Sequence, residues 1–331
     1  MNTEQQFISA LAEIFPKPSE LLVGIGDDAA VVTQLKQNLV AAADMAVEDV
    51  HFKRNWSSNF QIGAKIATAN IADIFAMGAE PKYLLVSVAL PKGTKIDDVK
   101  ELALGIKSVS DRFATQVIGG DISSSEKLVV SISALGQVSE PILRSGAKTG
   151  DKVVITGLPG WSALGLSILE NSIPNSTNSN QSGPVLAHLN PFLVSPAKLF
   201  SYLNSLTDIS DGLVADISNI ARSSNVEIVL QSSLISGLPG FNEFSELAKL
   251  YGQAGLDLIL NGGEDHLFVG TISESNYERL KKEKVSESVF VIGQVKDKLT
   301  DKMIDKTSNQ INPSGVKLDE KVLKSLGFKH F

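Results

Sequence analysis

Two periodicities alternate along this chain. Residues 1–15 carry Phe7, Leu11 and Ile14 at helical spacing and predict a short amphipathic helix. Apolar runs at 21–23 and 29–32 predict two strands, and 38–43 predicts a buried strand that delivers Asp44 at its end. Over 62–77 the pattern turns helical: Ile62, Ile66, Ala69, Asp73 and Met77 share one face, and Ala67, Ile71, Ile74 and Phe75 make most of the rest apolar. A helix apolar nearly all round is a buried one. Gly78 ends it and Pro81 blocks its continuation. Strand 83–90, helix 96–113, short strand 116–118 and strand 128–135 follow. This β-α-β-β order predicts a mixed sheet with helices on one face, an α+β layer within an α/β chain.

A polar, glycine-rich connector, Arg144-Ser145-Gly146-Ala147-Lys148-Thr149-Gly150-Asp151, separates this half from the next. It resembles a phosphate-binding loop but lacks the Gly-Lys-Ser/Thr ending. A domain boundary is expected just before it, dividing the chain into 1–140 and 141–331. Beyond lie a strand at 153–156 and a helix at 161–170, then an Asn/Ser-rich stretch at 171–183 that reads as a surface loop. A helix with Leu213, Ile217 and Ile220 on one face follows Thr207-Asp208-Ile209-Ser210-Asp211-Gly212, and Ser210 or Asp211 is its expected N-cap. Residues 256–260 and 266–269 read as strands joined by Asn261-Gly262-Gly263-Glu264-Asp265, and 289–293 as the last core strand. No structure is predicted for 297–312. The aromatic tail at 326–331 is expected to dock.

At 331 residues the chain has room for two domains. With 43% hydrophobic and 20% charged residues its composition is globular. A net charge of −7 argues against a nucleic-acid partner, which would call for a basic face. The same charge repels phosphates unless metal ions mediate. With no cysteine, disulfides, zinc–thiolate sites and cysteine nucleophiles are excluded. The N-terminus is not a basic segment followed by an apolar one, and no uncharged apolar run approaches a membrane span. A cytoplasmic protein without a membrane partner is expected.

The candidate chemistry is acidic. In Gly24-Ile25-Gly26-Asp27-Asp28, two adjacent carboxylates sit on a glycine hinge between strand-like runs. They repel unless a cation or several N–H donors separate them, and oxygen ligands suit a hard cation such as Mg²⁺ or Ca²⁺. A polar hairpin turn is the plainer alternative. Asp44 is followed by Glu48, Asp49 and His51 in a loop-like stretch, where Glu48 and Asp49 are as readily ordinary loop charges. Asp73, on a core helix, requires a basic partner or a metal, and Lys65, two turns back, is poorly placed. Gly119-Gly120 lets backbone approach a phosphate, with Asp121 beside it as a ligand for a bridging ion; a glycine turn after a strand is the alternative. Asp208 is left over once a cap is assigned, at a helix N-terminus suited to phosphate. Gly262-Gly263-Glu264-Asp265 echoes the earlier Gly-Gly-acid stretch.

Taken in order, these stretches resemble the thiamine-monophosphate kinase family. The resemblance is carried by Gly24-Ile25-Gly26-Asp27-Asp28-Ala29-Ala30, Asp44 through His51-Phe52, Asn70-Ile71-Ala72-Asp73 through Met77-Gly78-Ala79, and Ile118-Gly119-Gly120-Asp121. It continues in Arg144-Ser145-Gly146-Ala147, Asp208-Ile209-Ser210-Asp211-Gly212-Leu213, Gly262-Gly263-Glu264-Asp265, and Gly327-Phe328 with His330-Phe331. It implies a two-domain aminoimidazole-ribonucleotide-synthetase-like fold whose N-terminal domain binds ATP and metal and pairs two subunits as a homodimer. The C-terminal domain would complete the substrate site. The implied reaction is ATP-dependent phosphorylation of thiamine monophosphate to the diphosphate. Several Mg²⁺ ions would be ligated by Asp28, Asp44, Asp73, Asp121, Asp208 and Asp211. Gly120, Asp121, Arg144 and Ser210 would contact ATP, and His51, Glu264 and Phe328 would line the thiamine-phosphate site. Asp44, Asp121 and Arg144 would carry catalysis.

Three positions depart from the family pattern. Ala42 and Ala43 stand where hydroxyl residues usually precede the aspartate, and Phe328 replaces a Trp or Tyr, keeping the stacking face without the polar tip. Gly24, Gly26 and Ala29 also fit a dinucleotide G-x-G-x-x-A with Asp44 downstream, but Asp27 and Asp28 would then face the pyrophosphate and 29–32 looks extended. Sister enzymes of the aminoimidazole-ribonucleotide-synthetase type are nearer rivals. Absence of cysteine speaks against selenophosphate synthetase, while the aromatic tail and His51 favour thiamine. A non-enzymatic metal-binding module fits the aspartates but leaves Arg144 and the Gly-Gly stretches without a role.

Overall fold

A computed structural model describes residues 3–17, 21–23, 25, 30–32, 37–171, 183–283, 285, 289–298 and 315–323. The chain divides into two compact units. One comprises Met1–Phe75, Ala79–Pro141 and Leu189–Leu193, the other Ala76–Gly78, Ile142–His188 and Val194–Phe331.

The first unit contains α1 (Thr3–Ile14), β1 (Leu21–Val23), β2 (Val31–Val32), β3 (Asn38–Val47), α2 (Asn59–Ala76), β4 (Glu80–Pro91), α3 (Ile96–Arg112), β5 (Gln116–Ser125) and β6 (Val129–Val138). Four of its strands form a mixed sheet in the order β3-β6-β4-β5, in which only β4 and β5 run parallel. β6 shows why one face is the core: every second residue from Val130 to Val138 is buried and those between are half-exposed. Beyond its first two residues α2 is buried except for a stripe at Gln61, Lys65, Ala69 and Asp73. It packs closely enough on α3 that a Cβ on Gly105 would fall 2.0 Å from the Phe60 carbonyl oxygen. The opposite face of the sheet leaves Leu39, Met45 and Leu85 exposed at 59%, 55% and 37%.

The second unit contains β7 (Lys152–Ile155), α4 (Trp161–Asn171), α5 (Gly183–Leu189, whose last residue belongs to the first unit), β8 (Leu203–Asp208), α6 (Leu213–Ser224), β9 (Val226–Leu230), α7 (Ser232–Ser236), α8 (Phe241–Leu250), α9 (Gly255–Asn261), β10 (Phe268–Ile272), α10 (Glu274–Lys282), β11 (Phe290–Asp297), β12 (Val316–Leu318) and β13 (Lys321–Val322). Its seven-stranded mixed sheet runs β13-β12-β9-β11-β7-β10-β8. Next to edge strand β8, β10 is buried at every position, so both of its faces are covered.

Three expectations are corrected. Residues 256–260, read as a strand, lie in helix α9, whose Asn261 Nδ2 donates to Asp257 Oδ1 four residues back at 2.8 Å. Asp44 does not end its strand: β3 continues to Val47 because β6 supplies partners along all of it. Gly119-Gly120 is not a turn after a short strand, since β5 runs on to Ser125 against β4. Asn171 ends α4 and Gly183 begins α5; the rest of the expected surface loop, most of 297–312 and the docking of the tail lie outside the described residues.

Candidate functional site

In the first unit the predicted residues sit on β3, α2, β5 and the loop after β3. Asp44 is half-buried on edge strand β3 and faces the helices, in register with buried Ile132. Its backbone N–H donates to Asn70 Oδ1 at 3.0 Å, and Asn70 Nδ2 donates to the Ile66 carbonyl at 2.9 Å. A wholly buried asparagine inside an apolar helix thus fixes Asp44 against α2. Asp73 follows one turn along, on the half-buried stripe and not in the core interior. His51 braces its own loop: Nδ1 accepts the Val47 N–H at 3.1 Å, which assigns the ring proton to Nε2. Glu48 accepts the Leu128 N–H at 2.8 Å and Asp49 pairs with Lys127 at 3.0 Å, so both serve the loop.

Asp121 lies on the other edge of the sheet. It is exposed on β5, in register with Ser87, which pairs with Ser131, itself paired with Met45. Across the sheet Asp121 and Asp44 stand three strand spacings or about 14 Å apart. Within this unit the two acids do not meet. Asp121 and Gly120 instead rim a cavity of about 130 Å³, lined by apolar side chains of α1, α3, β4 and β5 such as Leu11, Ile106 and Val88. Gly120 is required by packing, since a Cβ there would fall 1.8 Å from the Val86 carbonyl oxygen.

In the second unit two segments run side by side beyond the ends of β8 and β10. Ile209 N–H donates to the Leu267 carbonyl at 2.7 Å, His266 N–H to the Ile209 carbonyl at 3.0 Å, and Glu264 N–H to the Ser210 carbonyl at 2.8 Å. Asp208 ends β8 and is buried, whereas Ser210 is half-buried and Asp211 exposed. The N-cap of α6 is Gly212, not Ser210 or Asp211, with φ of 117°. The capping acceptor comes from within the helix: Asp216 Oδ2 receives the N–H groups of Ser210 and Asp211 at 3.0 Å and of Gly212 at 3.2 Å. Burial, then the charges of Asp208 and Asp211, push the Asp216 carboxyl up to about 8, against the pull of those N–H donors.

Glu264 and His266 adopt left-handed φ of 63° and 49°, an uncommon conformation for residues with side chains. Glu264 Oε2 lies 3.4 Å from His188 Nδ1, which is also 3.1 Å from Ser162 Oγ. Asp265 turns its carboxylate inward to the N-terminus of α4, accepting the Gly160 N–H at 2.6 Å and the Ser162 N–H at 3.0 Å. Burial there raises it to about 6. Arg144 is exposed in a short 3₁₀ turn, Arg144–Gly146, held by Ser224 Oγ donating to the Arg144 carbonyl at 2.9 Å.

Asp28 and Phe328 lie outside the described residues. Among those described, no three acids or histidines gather as a cation cage. Mg²⁺ needs only one or two carboxylates, the remaining ligands being waters and phosphate oxygens, so the donor set fits that ion. The crowding of Asp208, Asp211 and Asp216 points the same way, because a cation at that end would relieve their repulsion. Sequence reasoning passed over His188, Asp216 and His266 and gave no role to Asn70 and Asp265, though it picked out the stretches that hold them. Asn70 alone had a local signal, a polar residue on an otherwise apolar helix face.

Residues 26–138 match the family model described as AIR synthase related protein, N-terminal domain. The chain is 35% identical over 324 residues to a thiamine-monophosphate kinase of Bacillus subtilis (strain 168), covering 95% of this chain and 94% of the relative. In structure it resembles a thiamine-monophosphate kinase from Stenotrophomonas maltophilia K279a, with TM-score 0.79, 26% identity and 96% of each chain covered. It also resembles AaThiL complexed with AMPPCP and TMP, with TM-score 0.76, 29% identity, and 93% and 92% of the two chains covered.

Proposed function

The chain belongs to the thiamine-monophosphate kinase family, and we propose that it transfers the γ-phosphoryl group of ATP to the phosphate of thiamine monophosphate, yielding thiamine diphosphate and ADP. The observation that carries this reading is similarity along nearly the whole chain to kinases of that activity. The acceptor oxygen is already anionic near neutral pH, its second pKa being about 6, so the reaction needs no strong base. The obstacle is the mutual repulsion of two polyanions.

Asp28, Asp44, Asp73, Asp121, Asp208 and Asp211 hold several Mg²⁺ ions in this reading. The ions supply the positive charge that lets the two phosphates approach in line. Gly120, Asp121, Arg144 and Ser210 bind ATP; the apolar cavity rimmed by Gly120 and Asp121 suits an adenine ring. His51, Glu264 and Phe328 bind thiamine monophosphate, Phe328 by stacking under the cationic thiazolium. Arg144 acts directly on the transfer, and Asp44 and Asp121, which do not meet within one unit, carry catalysis through separate Mg²⁺ ions. Residues 1–140 form the ATP- and metal-binding, dimerising domain, and 141–331 complete the substrate site. Two copies pair through the open face of the four-stranded sheet, where Leu39, Met45 and Leu85 are exposed. ATP as co-substrate puts the reaction in the cytoplasm. A coupled ADP-release assay with and without thiamine monophosphate tests the reading: ADP and thiamine diphosphate form together only when the acceptor is present. ADP release that ignores the acceptor would overturn it.

A further inference from the structure

The imidazole of His266 holds a buried ring nitrogen that the fold does not satisfy. The residue is 6% exposed, and its Nδ1 has no hydrogen-bond partner among the described residues. Nδ1 lies 3.6 Å from Asp208 Oδ2, and Asp208 is itself 2% exposed. A buried imidazole nitrogen without a partner is unfavourable, and the Asp208 carboxylate beside it is a ready acceptor. Closing a few tenths of an ångström makes an N–H···O bond. The backbone supports that orientation. His266 N–H is anchored to the Ile209 carbonyl at 3.0 Å, directly after Asp208, and its left-handed φ of 49° departs from the extended path that β10 takes two residues later.

We infer that His266 is a positioning residue for Asp208, its Nδ1–H donating to Oδ2 and leaving the second carboxylate oxygen to a divalent cation. This rests on Asp208 being a magnesium ligand, as proposed above. A ligating carboxylate held by an outer hydrogen bond keeps one lone-pair direction fixed, and loss of such a partner typically weakens metal affinity 10–100-fold.

The test is a titration of the full-length protein with Mn²⁺ alone, free ion being read by electron paramagnetic resonance, for wild type, His266→Asn, His266→Gln and His266→Phe. Asn can place an amide N–H where Nδ1 stands and accepts a left-handed φ; Gln carries its amide one carbon further out, and Phe has no donor. Asn should bind Mn²⁺ within about threefold of wild type, while Phe and Gln bind on the order of tenfold more weakly or worse. Equal Mn²⁺ affinity in wild type and Phe overturns the inference, as does an Asn variant as weak as Gln. Should Phe fail to fold, the Asn–Gln contrast decides alone. A wild-type protein that retains no Mn²⁺ would instead defeat the metal reading at Asp208, and the two failures are thereby separate.

Discussion

Gly119-Gly120-Asp121 and Gly262-Gly263-Glu264 are near twins as letters and unlike as structures. The first is the interior of strand β5, where the β4 backbone passes so close that a Cβ on Gly120 would fall 1.8 Å from the Val86 oxygen. The second follows helix α9, where a Cβ on Gly263 would fall 2.4 Å from the Ser210 oxygen and Glu264 turns left-handed. In both, one glycine records backbone against backbone, a packing demand that exists with or without a phosphate nearby. In the proposed reaction the neighbouring acid carries the chemistry, and its direction comes from the backbone: extended at Asp121, left-handed at Glu264.

The largest effect expected from breaking this comparison is catalytic. Asp121→Asn should fold normally and lose on the order of 10²–10³ in kcat, and Asp44→Asn likewise. Near wild-type kcat in either removes that residue from the mechanism. Glycine substitutions come next. Gly120→Ala and Gly263→Ala should each cost about 1–3 kcal/mol in denaturant unfolding, as overpacking does. Gly119→Ala, whose Cβ meets only Leu85 Cδ2 at 3.3 Å, should cost under ~1 kcal/mol. Equal losses at Gly119 and Gly120 would contradict the packing account of β5.

Glu264→Gln should raise KM for thiamine monophosphate about tenfold while leaving that for ATP nearly unchanged, as expected for one charged hydrogen bond. Parallel changes in both constants would detach Glu264 from the acceptor. The smallest effect is one of pH. Burial raises Asp265 to about 6 in the fold, above the usual unfolded value of about 3.9. The folded chain then holds its proton more tightly, so stability is fully present below about pH 4 and falls as pH rises towards 6. Asp265→Asn should flatten that limb in a plot of denaturation midpoint against pH, and an unchanged slope would show the carboxyl is not its source.

What could be read from the sequence follows from the range of the interaction involved. α2, α3 and α6 were legible because a helix face repeats every three to four residues and needs no partner to be recognised. Residues 256–260 were misread because a five-residue stretch of mostly leucine and isoleucine has no period long enough to separate strand from helix. Asp44 and Asp121 were identified as candidates but misplaced at strand ends, since strand length is set by partners on β6 and β4 far along the chain. Their positions on opposite edges follow from strand order, which short-range pattern does not carry. The clasp of Asp265 on Gly160 and Ser162 joins segments more than a hundred residues apart, and nothing local announces it.

The dependence of thiamine-monophosphate phosphorylation on free Mg²⁺, measured after all ATP is already complexed, bears most directly on the idea that carboxylate-held ions let two phosphates meet. The wild-type rate should keep rising with free Mg²⁺ beyond that point, and Asp121→Asn should move the half-saturating concentration upward about tenfold or more. A rate that is flat once ATP is complexed, with the same Mg²⁺ profile in the variant, would contradict it.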